Sequence, residues 1–187
     1  AIDYQHRTSL MLASANGHSE VVKLLLDDKR INVNAIDNQR LTSLMHASEN
    51  GHAEVVKLLL SAKGIDVNAV GKHGYSSLMR ASANVHSEVV KLLLDDERIN
   101  VNAIDFYGRT SLILASENGH SEVVKLLLGD ERINVNAKDN QGYTLNLASE
   151  NGHSEVVKML LGVDHGFSLV SFFILLIYFV YLIQYRT

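Results

Sequence analysis

A near-identical string recurs along this chain at an almost constant interval. Asn16-Gly17-His18-Ser19-Glu20-Val21-Val22-Lys23-Leu24-Leu25-Leu26 has near copies starting at Asn50, Asn84, Asn118 and Asn151, at spacings of 34, 34, 34 and 33. A second marker, Val-Asn-Ala followed two residues later by Asp or Gly, ends at Asp37, Gly71, Asp105 and Asp139. Self-similarity at this period is the signature of one small unit stacked on copies of itself. Five units result, 3–36, 37–70, 71–104, 105–138 and 139–163, and a distinct apolar segment follows at 167–183.

Each unit reads as two short helices. Thr8 is placed to N-cap a first helix over Ser9–Ala15, and Asn16-Gly17 ends it, Gly17 supplying the left-handed position after the last turn. Ser19 to Leu26 is a second helix, with Val21, Val22, Leu24, Leu25 and Leu26 forming a broad apolar stripe and Glu20 and Lys23 a polar edge. A loop over 27–35 then enters a turn at Ala35-Ile36-Asp37-Asn38. Neither helix reaches the ~12 residues below which isolated helices are marginal, so stacking must stabilise both. The fifth unit is one residue short near Thr144-Leu145, which predicts a shortened first helix there. Val85 stands where the other units place Gly17, Gly51, Gly119 and Gly152, which predicts local strain.

At these residues the unit resembles the ankyrin repeat. The unit from Asp105 to Lys138 carries the family pattern at Asp105, Gly108, Thr110, Leu112, Ala115, Gly119, His120, Glu122, Val123, Val124, Leu126 to Leu128, Val135, Asn136 and Ala137. Departures are systematic. Ser9, Ser43, Ser77 and Ser111 stand in place of the family proline, and the chain has no proline at all. Met11, Met45, Met79 and Ile113 replace the family histidine, and one extra loop residue explains the period of 34. The resemblance implies an all-α solenoid of paired short helices with turn hairpins, and a non-enzymatic scaffold that binds another protein through its concave face. A regulatory portion of a larger membrane protein, such as a channel or acyltransferase, and a structural spacer are the alternatives.

Composition narrows the chemistry. Net charge is −4, which gives no electrostatic footprint for nucleic acid. Cysteine is absent, so disulfides, thiolate catalysis and Cys-ligated zinc are excluded. His18, His52, His86, His120 and His153 hold one place in successive units. Stacked helices lie ~8–10 Å apart, whereas Zn–N bonds are near ~2.1 Å, so neighbouring copies do not share an ion. Each is read as a structural histidine bracing its loop. No metalloprotease, nucleophile-elbow or phosphate-loop pattern occurs. No catalytic residue, cofactor, metal or small-molecule substrate is expected.

The units differ from one another at the turn tips and at one position of the first helix, which in ankyrin-family proteins line the concave face. The tips read Tyr4, Gln5, Arg7; Asn38, Gln39, Leu41; Lys72, His73, Tyr75; Phe106, Tyr107, Arg109; and Asn140, Gln141, Tyr143. The helix position holds Leu12, His46, Arg80, Leu114 and Leu147. Lys72, His73, Tyr75, Arg80, Phe106, Tyr107 and Arg109 are predicted to adjoin as an aromatic and basic patch of the composition found at interface hot spots. An acidic or phosphorylated peptide would suit that charge. The side chains of Tyr75, Arg80 and Tyr107 are expected to point away from the stack, so that truncating them barely moves stability.

The segment 167–183 is seventeen residues without a charge, about 25 Å as a helix against a hydrocarbon core of ~30 Å. It is a candidate tail anchor that would leave the array cytoplasmic, with Tyr178, Tyr181 and Tyr185 suited to the interface. A helix docked on the last unit and a segment foreign to the array are the competing readings. Because the chain opens on Ala-Ile-Asp, three residues that recur inside it, it is expected to be a fragment of a longer array.

Overall fold

The computed structural model describes residues 2–162. Among them are ten helices, two per unit. The first helices are α1 (Ser9–Ala15), α3 (Ser43–Glu49), α5 (Ser77–Ala83), α7 (Ser111–Glu117) and α9 (Thr144–Glu150). The second helices are α2 (Ser19–Leu26), α4 (Ala53–Leu60), α6 (Ser87–Leu94), α8 (Ser121–Leu128) and α10 (Ser154–Gly162). First helices stack on first helices and second on second, giving two parallel rows, and strand pairing among the described residues is limited to the isolated bridges Ile2–Thr8 and Lys138–Tyr143. The fold is all-α.

The caps follow the local sequence. The side chains of Thr8, Thr42, Ser76 and Thr110 each accept from the backbone N–H three residues on, at 3.2–3.3 Å. The fifth unit corrects one expectation. α9 is seven residues long, like its four counterparts, so the missing residue has come out of the turn rather than the helix. Tyr143 therefore occupies the N-cap, makes no side-chain cap bond, and leaves α9 the one first helix without that stabilisation.

One apolar core runs from Leu10 to Leu160 through all five units. Leu44, Leu78 and Leu112 from the first helices, and Val56, Val90, Val124, Leu59, Leu93 and Leu127 from the second, are at most 2% exposed. At roughly 1.5–3 kcal/mol per fully buried aliphatic side chain, this packing is what holds helices too short to persist alone. Met11, Met45, Met79 and Ile113 are fully buried and fill the space beneath the turns.

Polar ladders fix the register between units. His52 Nε2 donates to the Ala15 carbonyl at 3.0 Å, His86 to Glu49 at 2.9 Å, His120 to Ala83 at 3.1 Å and His153 to Glu117 at 2.8 Å. Each histidine thus braces the unit before its own. A Cβ on Gly51 would lie 2.5 Å from His86 Nδ1, so this site needs glycine for closeness as well as for its φ of 74°. On the loop side, Asn34, Asn68 and Asn102 each donate to a carbonyl of the next unit and accept one of its N–H groups, at 2.7–2.8 Å. Arg98 and Arg132 reach back to the Leu60 and Leu94 carbonyls, capping α4 and α6.

Candidate protein-binding face

The turn that opens four of the five units is built on an aspartate, Asp3, Asp37, Asp105 or Asp139. Asp105 Oδ1 accepts from the N–H groups of Tyr107 and Arg109 at 2.8 and 2.9 Å, which closes the tip into a fixed loop. Asp37 does the same for Gln39 and Leu41, both at 2.8 Å. Gly74 and Gly108 then turn the chain at φ of 83° and 81°. His6 and Arg40 hold the equivalent place in the first two units at φ of 62° and 63°, a strained conformation for side-chain-bearing residues.

Successive tips are tied by backbone bonds. Lys72 N–H donates to Gln39 at 3.0 Å, Phe106 to His73 at 3.2 Å and Asn140 to Tyr107 at 3.3 Å. The third and fourth tips therefore adjoin, and all seven patch residues expected from the sequence fall into one region. They divide into two groups.

Tyr75, Arg80 and Arg109 form the root of the patch. Arg109 donates to the Tyr75 hydroxyl and to Asp105 Oδ2, the latter at 2.9 Å from both Nε and Nη2. Its guanidinium lies 5.7 Å from the Tyr75 ring centre and 5.1 Å from that of Tyr107, and the Arg80 guanidinium lies 5.8 Å from the Tyr75 ring centre. Arg80 pairs with Glu49 at 3.0 Å, and Arg109 lies 3.8 Å from Glu117. Burial pushes the Tyr75 phenol above its ordinary range, although the neighbouring Arg109 and Arg80 act in the opposite direction. The third unit has Gly71 where its neighbours have aspartate, and a Cβ there would meet Leu41 at 2.8 Å and Arg80 at 3.0 Å. Gly71 makes the room in which the Arg80 side chain lies.

Two sequence expectations fail here. Tyr75 and Arg80 do not point away from the stack, because Arg109 of the following unit bonds Tyr75 and Glu49 of the preceding unit pairs with Arg80. The positive charge of Arg80 and Arg109 is also not free, since Glu49, Asp105 and Glu117 compensate it. The helix-position and tip residues Leu114, Leu147 and Leu41 are likewise covered, at 2, 4 and 5% exposure, Leu41 lying beside Gly71 of the next turn and Leu147 clustering with Ile113 and Ala137.

Lys72, His73, Phe106 and Tyr107 are the outer group. Phe106 is 72% and Tyr107 57% exposed, and Lys72 makes no ion pair among the described residues. The exposed tip residues elsewhere are polar apart from Tyr4 and Tyr143. In the second unit the site differs in kind, with His46 Nε2 only 2.9 Å from Asp37 Oδ2.

Four of the five recurring histidines, His52, His86, His120 and His153, make inter-unit hydrogen bonds, and no cluster of metal-ligating side chains occurs among the described residues. A family model of ankyrin repeats, in three copies, matches residues 2–71 and again 78–171. The chain belongs to the ankyrin-repeat family. Ankyrin repeats are generally protein–protein interaction modules, and proteins built from them are typically non-enzymatic scaffolds. No curated protein matches the chain. No helix among the described residues is long and apolar enough to cross a membrane, and the apolar segment 167–183 lies outside the described residues.

Proposed function

We propose that this ankyrin array is a protein-binding scaffold whose contact surface is the third and fourth turn tips on the concave face. Lys72, His73, Phe106 and Tyr107 meet the partner, and Tyr75, Arg80 and Arg109 hold them in place. The observation that carries the reading is the pairing of two exposed aromatic rings with a backbone fixed by Asp105 and by the Phe106–His73 bond. Aromatic side chains on a rigid base offer large contact area at small entropic cost, which is the physics of an interface anchor. Because the arginines are neutralised internally, a partner suited to this patch is apolar at its centre, with a carboxylate reaching Lys72 or His73. Site-specific photo-crosslinkers at positions 106 and 140 test the placement: a partner joined from 106 and not from 140 supports it, and equal yields reduce the array to a spacer.

Tethering through 167–183 is a separate reading, supported by the run of seventeen uncharged residues. In it the full chain partitions with membranes and resists alkaline extraction. Placing Arg at Leu175 weakens insertion by roughly 2.5–3.5 kcal/mol, and a full chain recovered in the aqueous fraction contradicts the tether.

A further inference from the structure

Each turn is entered through one residue at a fixed place. The N–H that follows it, of Asp37, Gly71, Asp105 or Asp139, closes the turn onto the Leu41, Tyr75, Arg109 or Gly142 carbonyl at 3.0–3.1 Å, so residues 36, 70, 104 and 138 are equivalent. Ile36, Val70 and Ile104 fill three of these places and are 47, 41 and 61% exposed. Each belongs to a unit stacked between two others, so the exposure is a property of the place and not of an end of the array. An extended backbone favours β-branched residues, but Lys138 at the fourth place shows that the turn does not require one.

The row is evenly spaced, because each tip bonds the one before it in the same way: Lys72 to Gln39, Phe106 to His73 and Asn140 to Tyr107. Three aliphatic side chains therefore run beside the turn tips, followed by a cation. Ile104 and Lys138 line one cleft of about 490 Å³, together with Tyr143. The Lys138 ammonium lies 5.9 Å from the Tyr143 ring centre and makes no ion pair among the described residues.

Spacing selects what can lie along this row. Stacked helices, and with them the units, repeat at ~8–10 Å. A strand presents side chains on one face every ~6.6–6.8 Å, which falls out of step within two units. Polyproline II has three residues per turn at ~3.1 Å each, so every third side chain recurs at ~9.3 Å, inside the range. We propose that the row seats an extended polyproline II segment of the protein partner. Aliphatic residues at every third position lie over Ile36, Val70 and Ile104, and a carboxylate three residues further on meets Lys138 in the cleft. This deepens the protein-binding reading above and rests on it.

A fluorescently labelled peptide, Leu-Pro-Ser-Leu-Pro-Ser-Leu-Pro-Ser-Glu, titrated with the full chain tests this by anisotropy. Binding is saturable, and Val70→Ser or Ile104→Ser each weakens it by about tenfold, the equivalent of one aliphatic contact. The melting temperature stays unchanged, since both sites are exposed; Ile36→Ser repeats the arm if either chain fails to fold. Lys138→Glu weakens binding too, and a peptide ending in lysine in place of glutamate restores it on that variant. A peptide that does not bind, one with leucine at every second position that binds equally well, or an unchanged affinity for Ile104→Ser overturns the proposal. So does a photo-crosslinker at position 70 that joins the chain to its own segment 167–183 or to a second copy. A partner crosslinked from position 106 while the peptide fails keeps the tip assignment and removes only the row.

Discussion

The Arg109 guanidinium donates to the Tyr75 hydroxyl across the boundary between the third and fourth units. The same guanidinium pairs with Asp105, whose side chain is wholly buried. Binding surface and stack are therefore coupled through one residue. Arg109→Ala leaves the Asp105 carboxylate with only its two backbone donors, and the expected loss of stability is about 1–3 kcal/mol. Tyr75→Phe costs about 0.5–1.5 kcal/mol. Lys72→Ala, on the exposed side, stays within about 0.5 kcal/mol. Urea denaturation of the three variants checks the order, and an Arg109→Ala chain as stable as the parent contradicts it.

Val85 sits at φ of 63° where its counterparts are glycine at 72–76°. A β-branched side chain in the left-handed region costs about 1–2 kcal/mol. Its Cβ also occupies the place where neighbouring units need an imidazole close by, although the His120–Ala83 bond is kept. Val85→Gly is expected to raise stability by about 1–2 kcal/mol, partly offset by the greater unfolded-state freedom of glycine. A lower denaturation midpoint contradicts the strain.

Ser14, Ser48, Ser82 and Ser116 are wholly buried, and their hydroxyls have no hydrogen-bond partner among the described residues. Ser149, at the same place in the fifth unit, bonds the Leu145 carbonyl at 2.7 Å. Removing an unpartnered buried hydroxyl, as serine to alanine does, removes a desolvation cost of about 1–3 kcal/mol and adds helix propensity. Ser48→Ala, Ser82→Ala and Ser116→Ala should each raise the melting temperature. A fall would show that these hydroxyls rotate onto the carbonyl one turn back, as Ser149 does.

Side-chain hydrogen bonds from Arg98 and Arg132 hold the carboxyls of Asp96 and Asp130 below the ordinary aspartate range. A depressed folded-state value means that this stability is complete above the unfolded aspartate value near ~3.9 and is lost as pH falls through the lowered folded values. Melting temperatures of the parent and of the Asp96→Asn/Asp130→Asn chain should therefore differ at pH 6 and converge as pH is lowered from about 4 toward 2. A constant gap across that range contradicts the linkage.

What the sequence made legible was what repeats. The period placed α1 and α2 at their observed bounds, identified the Thr8 cap, and singled out Val85 as a residue forced into a left-handed backbone, though not His6 and Arg40. The location of the fifth unit's deletion was hidden, because Gly142-Tyr143-Thr144 aligns equally well with a shortened helix or a shortened turn. Capping energetics permit the second, since Tyr143 can give up a side-chain cap more cheaply than α9 can lose a residue of its buried row. The seven patch residues were found as a cluster, but not their division into root and tip. That division depends on Glu49, Asp105 and Glu117, and Arg80–Glu49 joins adjacent units, so the pair exists only once stacking sets the register. The Asn34, Asn68 and Asn102 ladder was visible as a recurring Val-Asn-Ala or Val-Asn motif, though its hydrogen bonds follow only from that register.

The most direct test of the binding face compares partner affinity between two sets of variants with unchanged melting temperature. Phe106→Ala and Tyr107→Ala change the fourth tip, whereas Asn38→Ala and Gln141→Ala change exposed tips elsewhere. Each aromatic truncation should weaken binding of a captured partner at least about tenfold, equivalent to about 1.4 kcal/mol, while the two polar truncations leave it unaltered. Equal losses from all four, or no loss from Phe106→Ala and Tyr107→Ala, would contradict the assignment of this face.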